Sequence, residues 1–471
     1  MKVIHLSVEC FPVAKVGGLA DVVGALPKYQ RKLGIDASVI MPFFNRKFVQ
    51  ENNFEIIARG EFYQGSEQLS YEVLKESKDL LGFPLYLIKI PNLLDREEVY
   101  CYEDEADQWI AFQHAVLDYL KRNAIKPDIL HCHDHHVGLI PFLTKWGNEF
   151  HDLKDVKTVF TVHNGQYQGW MPWSKGIILP GFDTWRWGLL DWDGLINPLA
   201  TAIKCTDAYT TVSEGYLKEL YVEANGLQNL FYDEREKAVG IVNGIDTSFW
   251  NPEIDQLIDE NYGVDMVAEG KKQNKVLFCK EFGLDPSKPL ISYIGRFAIE
   301  KGADILADLI QNLLSENSLK ISIFILGSGD AEIQESIQKI TQLYKQDLAV
   351  FFGYNEQLAH RVYASADMIV MPSRVEPCGL NQLYALKYGT IPVVRKIGGL
   401  RDTVIDVEEG GYGFLFNNVN AEESADTVSR AVKYLNGKDN LMKTRNLAMK
   451  LDYSWDKSAK KYKDLYNQLL R

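Results

Sequence analysis

The sequence is short of cysteine and spreads it without order. Its six cysteines in 471 residues (Cys10, Cys101, Cys132, Cys205, Cys279 and Cys378) form no Cys-x-x-Cys pair and keep no regular spacing. That excludes a disulfide framework and reads as reduced thiols. Positive charge is also in the minority, with 51 Lys and Arg against 64 Asp and Glu, a net charge of −13, and no long basic block. Nucleic acid is thereby excluded as the main partner, because neutralising its backbone needs a concentrated basic face. A small phosphate ligand is still allowed, since one Arg and one or two Lys can hold it locally. No apolar run reaches ~18 residues, so no membrane span is expected. The opening Met1–Glu9 run is interrupted by His5 and Glu9 and reads as a buried strand rather than a signal peptide. Repeats and low-complexity segments are missing too. The expectation is a soluble, cytoplasmic protein.

What is present is a long alternation of short β-branched runs with amphipathic stretches, the pattern of parallel α/β sheets. Strands are expected at 2–8, 36–41, 84–90, 128–133, 157–162, 208–212 and 239–242. A second series is expected at 290–294, 320–326, 349–352, 368–371, 391–394 and 413–416, and a helix from Ser454 to Leu470. The polar stretch 251–275 between the two series suggests a hinge. A chain of this length exceeds one core. The reading is therefore α/β, with two Rossmann-like, doubly wound parallel-sheet domains facing across a cleft and ligands at the carboxyl ends of the strands.

Chemistry-bearing residues follow several of these strands. Pro372–Asn381 and Gly398-Gly399-Leu400 set one acid, Glu376, ahead of a Gly-containing turn, Cys378-Gly379-Leu380. An acid there accepts hydrogen bonds from sugar hydroxyls while nearby amides hold anionic oxygens. Lys15-Val16-Gly17-Gly18 follows the first strand; paired glycines let backbone approach a ligand and Lys15 adds a charge. It matches neither Gly-x-Gly-x-x-Gly nor a Walker sequence, and a plain tight turn would use the same residues. Arg296 and Lys301, flanked by Gly295 and Gly302, open the second series and can reach one pyrophosphate. The run His131-Cys132-His133-Asp134-His135-His136 would point residues 131, 133 and 135 one way on a strand. It reads as a hydrogen-bonding cluster lining a sugar pocket, with a metal site as the alternative. His163, after Thr161-Val162, ends the next strand and can reach the same pocket. Five tryptophans between Trp170 and Trp192 lie in neither strand nor long helix, and could platform a sugar ring or pack a satellite core.

Taken with Thr211-Val212-Ser213, Asn243-Gly244-Ile245-Asp246, Gly353-Tyr354 and Arg401-Asp402-Thr403, these segments resemble the bacterial glycogen synthase and plant starch synthase family over essentially the whole chain. The resemblance implies a GT-B fold. An acceptor-side domain would span 1–245, a donor-side domain 246–455, and a C-terminal helix, 456–471, would return to the first. It implies transfer of glucose from ADP-glucose to the non-reducing end of an α-1,4-glucan, either glycogen or a maltooligosaccharide. The anomeric configuration would be retained, ADP released, and no metal or other cofactor used. By the same resemblance, Lys15, Arg296 and Lys301 hold the donor phosphates beside Gly17 and Gly18, and Tyr354 packs against adenine. Glu376, the Cys378-Gly379-Leu380 turn and His163 contact the transferred glucose, Asp134 and Asn243 line the same site, and the Trp-rich segment helps hold glucan. The chain departs from the family pattern at Val16 (usually Thr), His135 (Trp), Gly165-Gln166 (Leu-Ala) and Ile397 (Thr), changes that bear on acceptor preference.

Two alternatives stand beside this reading. One is another retaining GT-B transferase using UDP-glucose or a small acceptor. The other is a non-catalytic glucan-binding relative, against which the joint retention of Lys15, Arg296, Lys301 and Glu376 argues.

Overall fold

The computed structural model describes residues 1–315, 319–437 and 439–471. The chain forms two compact units. One comprises Met1–Gly244 with Trp455–Arg471, the other Ile245–Ser454. The sequence expectation put Ile245 in the first domain and Trp455 in the second. Each moves by one residue because the Ile245 N–H donates to the Tyr453 carbonyl (2.8 Å), whereas the Trp455 ring is buried in the first unit's core.

The first unit contains β1 (Lys2–Leu6), β2 (Asp36–Pro42), β3 (Phe54–Gln64), β4 (Glu67–Glu76), β5 (Leu85–Lys89), β6 (Ile129–His133), β7 (Lys157–Val162), a two-residue pair β8 (Asp191–Trp192) and β9 (Leu195–Ile196), β10 (Ala208–Thr211) and β11 (Ala238–Gly240). Among the described residues its main sheet has the order β11-β10-β7-β6-β1-β2-β5-β4-β3. It is parallel from β11 to β5, with β4 and β3 added antiparallel at one edge. The β3–β4 hairpin is absent from the sequence expectation. Its outward face is polar and its alternation lies among exposed charges, so it lacks the continuous apolar run that marked the buried strands.

The second unit holds β12 (Leu290–Phe297), β13 (Ser322–Gly329), β14 (Leu348–Phe352), β15 (Met368–Met371), β16 (Ile391–Arg395) and β17 (Phe414–Phe416). They are all parallel, in the order β14-β13-β12-β15-β16-β17. The stretch 251–275 is no hinge. Tyr262, Lys271 and Asn274 are buried in this unit, and the Tyr262 hydroxyl and the Lys271 ammonium both donate to the Tyr388 carbonyl. Its polar residues satisfy backbone carbonyls, which is why composition alone mistook it for a linker.

Each sheet reverses its winding once. In the first unit β2 to β5 lie on one side of β1, and β6, β7, β10 and β11 follow on the other; in the second the same reversal falls between β12 and β15. The loops leaving the carboxyl ends of such neighbouring strands splay apart and leave a ligand crevice. Those loops are 7–17, 134–136, 298–302 and 372–380.

The last helix, Trp455–Leu469, belongs to the first unit. Trp455, Ala459, Tyr462, Leu465 and Tyr466, at helical spacing, bury against Val22, Leu26 and Tyr29 of helix Gly18–Lys32 and against Ile129 and Val159. Each fully buried large apolar side chain contributes roughly 1.5–3 kcal/mol. Two side-chain bonds tie the helix down, Ser458 to the Val242 carbonyl (2.7 Å) and Lys463 to the Leu33 carbonyl (2.8 Å). Among the described residues no helix is long and apolar enough to cross a membrane.

Candidate active site

In the second unit two loops are locked together. Lys301 ends a short 3-10 turn, Ile299–Lys301, just past β12, and Gly302 follows at φ 66. A Cβ on Gly302 would lie 2.0 Å from the Pro372 carbonyl oxygen, so only glycine lets the loop after β15 approach this closely. The Arg374 and Val375 N–H groups donate to the Glu300 carbonyl at 2.8 and 3.1 Å. This packing puts the Lys301 ammonium 2.8 Å from both Glu376 oxygens, with the Ser373 hydroxyl donating to the same carboxylate at 2.9 Å. Glu376 is only 6% exposed, and its backbone carbonyl accepts from Gly399 N–H. Arg296 pairs with Glu300 one turn along. Gly379 takes φ 72 beside buried Cys378, and Leu380 precedes helix Asn381–Lys387. Tyr354, just beyond β14, is 73% exposed.

In the first unit the loop after β1 is organised by a residue that sequence reading passed over. Glu9 is buried, and one of its oxygens accepts from the Val16 and Gly17 N–H groups (2.6 and 2.9 Å) while the other accepts from the Tyr100 hydroxyl (2.6 Å). Those two amides are therefore occupied by a carboxylate. Lys15 pairs with Asp21 at 2.7 Å. Gly17 and Gly18 still border open space, since a Cβ on either would meet nothing within 4 Å.

The structure corrects the imidazole grouping. β6 ends at His133, Asp134 turns the chain at φ 59, and His135 enters a 3-10 turn. His135 lies against His136, the rings tilted by 34°, instead of joining residues 131 and 133. The third imidazole comes from β1, whose His5 registers with His131. Ligand atoms of His5, His131 and His133 lie within 4.8 Å of one another. However, all six ring nitrogens hydrogen-bond to protein groups, namely Gln30, Tyr466, Thr161, His163 and each other, so a cation would have to displace that network.

Asp134 accepts the His163 N–H at 2.7 Å. Burial pushes its carboxyl up to about 7, against the His163 and Asn164 amides, which lower it, and with help from nearby Glu9. Folding therefore takes up a proton at Asp134 between its ordinary value of 3.8 and about 7, and its stabilising effect is lost as pH rises through that window. Relative to Asp134→Asn, the wild-type protein is expected to lose stability from pH 4 to pH 7 and to change little above. Urea midpoints across that range test this, and parallel curves for the two proteins would refute it. His163 is held neutral, its pKa lowered to about 3 by burial. Asn243, also buried, keeps its side-chain oxygen without a hydrogen-bond partner among the described residues, as a group awaiting a polar ligand would.

The Trp-rich segment is split in role. Trp173 donates to Asp191 at 2.7 Å and packs edge-on against Trp187, whereas Trp185 is 91% exposed.

Glu9, Asp21, His5, Gln30 and Tyr466 escaped sequence reading because each works through a partner distant in sequence or on another element. Only the interruption of the first strand by His5 and Glu9 hinted at them.

Two parallel doubly wound units, each with basic residues beyond the strands of its switch point, place the molecule in the GT-B class of glycosyltransferases. Residues 2–233 match the family model for the starch synthase catalytic domain, and residues 277–445 match glycosyl transferases group 1. A protein of Flavobacterium johnsoniae named glycogen synthase is 49% identical over 471 residues, covering all of both chains. Another, from Geobacillus stearothermophilus, is 36% identical over 492 residues, covering 100% of this chain and 98% of that one. The catalytic domain of starch synthase IV from Arabidopsis thaliana, solved bound to ADP and acarbose, superposes with a TM-score of 0.90 at 29% identity, covering 100% and 99% of the two chains. Sucrose-phosphate synthase from Thermosynechococcus elongatus shares the fold at a TM-score of 0.62 and 16% identity. This chain belongs to the glycogen and starch synthase family.

Proposed function

We propose that this enzyme moves glucose from ADP-glucose to the non-reducing end of an α-1,4-glucan, with retention and release of ADP. The observation that carries the chemistry is the Lys301 ammonium poised 2.8 Å from both Glu376 oxygens at the switch point of the second sheet. A cation and an acid held together there suit a sugar diphosphate, whose leaving group is anionic and whose transferred ring offers hydroxyls.

In this reading the second unit holds the donor. Arg296 and Lys301 exchange their carboxylate partners, Glu300 and Glu376, for diphosphate oxygens. Tyr354 stacks on adenine, and Glu376, released from Lys301, takes sugar hydroxyls together with the Cys378-Gly379-Leu380 turn. As the bond from glucose C1 to the phosphate oxygen breaks, its electron pair leaves with ADP, so fixed positive groups bind more strongly in the transition state than in the ground state. The acceptor's terminal hydroxyl forms the new C1–O bond and gives its proton to the departing diphosphate oxygen. The first unit's candidates are Lys15 with Gly17 and Gly18, whose missing side chains leave room for a phosphate, and His163, Asp134 and Asn243 for the sugar. Exposed Trp185 fits a glucan platform. We place the reaction in the cytoplasm, where thiols such as the six unbridged cysteines stay reduced.

ADP release from ADP-glucose that depends on added glycogen or maltooligosaccharide tests the assignment. UDP release from UDP-glucose instead would move the enzyme to another donor class, and no release with glycogen still bound would leave a glucan-binding protein. We also propose that the transfer needs no metal or other cofactor, since cationic side chains are placed to neutralise the leaving group. Turnover is expected to survive EDTA. Loss restored by Zn²⁺ or Mn²⁺ would instead assign a metal role to the buried histidines.

A further inference from the structure

Four imidazoles in the first unit form part of one continuous hydrogen-bonded line. Gln30, on helix Gly18–Lys32, places its Oε1 2.7 Å from His5 Nε2. His5 Nδ1 lies 3.0 Å from His133 Nε2, and His133 Nδ1 lies 3.0 Å from His163 Nε2. On its other side the Gln30 amide donates from Nε2 to the Tyr466 hydroxyl at 3.0 Å. Tyr466 reaches His131 Nδ1 at 2.6 Å, and His131 Nε2 reaches the Thr161 hydroxyl at 2.6 Å, which meets Thr210 at 2.7 Å. Gln30, His5, His131, His133 and Tyr466 are fully buried.

Burial holds all four histidines neutral, lowering His5 to about 4, His163 to about 3 and the other two well below their ordinary range. A neutral imidazole has one N–H and one lone pair, so a line of them must have a single polarity. An oxygen of Gln30 facing His5 makes His5 donate from Nε2. His5 Nδ1 must then accept from His133 Nε2, and His133 Nδ1 from His163 Nε2. His163 is left with a lone pair on Nδ1, which has no hydrogen-bond partner among the described residues. Turning the Gln30 amide over would reverse every proton and leave His163 with an N–H at Nδ1 instead. As the amide lies, its nitrogen donates to the Tyr466 hydroxyl, whose own proton is then directed to His131 Nδ1.

We propose that Gln30 and Tyr466 are positioning residues that fix the tautomer of His163, so that Nδ1 accepts a hydrogen bond from a hydroxyl of the transferred sugar. The sugar contact rests on the function proposed above; the tautomer control does not. Tyr466 lies on the chain's last helix, some 300 residues beyond His163, and acts without touching substrate. A lone pair there accepts a sugar hydroxyl, whereas the opposite tautomer would present an N–H to that hydroxyl and oblige it to turn its own proton elsewhere.

The test uses full-length protein labelled with ¹⁵N-histidine. Long-range ¹H–¹⁵N correlation separates pyrrole-type from pyridine-type ring nitrogens, and a His163→Asn sample assigns the resonance. Wild type is expected to show His163 protonated at Nε2 only. Tyr466→Phe, which removes one oxygen, and Gln30→Leu, read in parallel, are expected to give mixed or reversed His163 tautomers. Their kcat/KM for ADP-glucose should fall about three- to tenfold, the worth of one neutral hydrogen bond. Adding Gln30→Glu to Tyr466→Phe supplies an acceptor-only carboxylate and should restore both the Nε2–H tautomer and kcat/KM. A His163 that stays Nε2–H in both folded single variants overturns the relay. A tautomer change with unchanged kcat/KM upholds the relay and removes His163 from the sugar contact, which is a failure of the functional reading alone.

Discussion

Lys301→Ala is expected to lower kcat for glucosyl transfer by about 10²–10³, the usual cost of losing one preorganised group at a site of developing negative charge. Glycogen binding, which involves none of the phosphate contacts, should be unchanged. The variant also strips Glu376 of its cation and leaves a nearly buried carboxylate with the Ser373 hydroxyl, so some loss of stability is expected alongside. The double variant Lys301→Ala with Glu376→Gln separates the two effects. It removes the uncompensated charge and should regain stability without regaining turnover. Single-turnover ADP release and urea denaturation of all three proteins give the measurements. Unchanged kcat in Lys301→Ala would take Lys301 out of the mechanism.

Gly302→Ala is expected to be the most damaging single-methyl change near the site. A side chain at φ 66 costs ~1–2 kcal/mol. A Cβ 2.0 Å from the Pro372 carbonyl must also push two loops apart, which adds ~1–3 kcal/mol of overpacking. The second unit should lose roughly 2–5 kcal/mol. Because the displaced loop carries Glu376, kcat should fall with it. Gly17→Ala makes the contrast. Its Cβ meets nothing within 4 Å, so stability should hold while KM for ADP-glucose rises as the methyl intrudes where the donor approaches. Equal thermal midpoints for Gly302→Ala and wild type would show that the two loops are less tightly seated than their carbonyl contact implies.

The site residues that sequence could mark were those whose chemistry needs a local pattern. Arg296, Lys301 and Gly302 stand together after a β-branched run, and Glu376 stands ahead of a turn, so strand ends and charge were readable from neighbours alone. Lys15 was legible in the same way, but its ion pair with Asp21 was not. Histidines 131, 133 and 135 were grouped by strand alternation. That failed because the strand stops at His133 and Asp134 turns the chain.

Local periodicity and strand-end chemistry in the sequence thus determined the α/β class, two parallel-sheet series, most of the strands and the candidate phosphate and sugar residues. These depend on side chains a few positions apart, and a period of two or 3.6 records them directly. Tertiary structure alone decided which distant groups meet: Glu9 with the Gly17 amide, Lys301 with Glu376, and His5 with His133 and, through Gln30, with Tyr466. Those pairings arise from sheet order and from the return of the last helix, which no local pattern encodes, because hydrogen bonds between buried polar groups depend on position in space and not on separation along the chain.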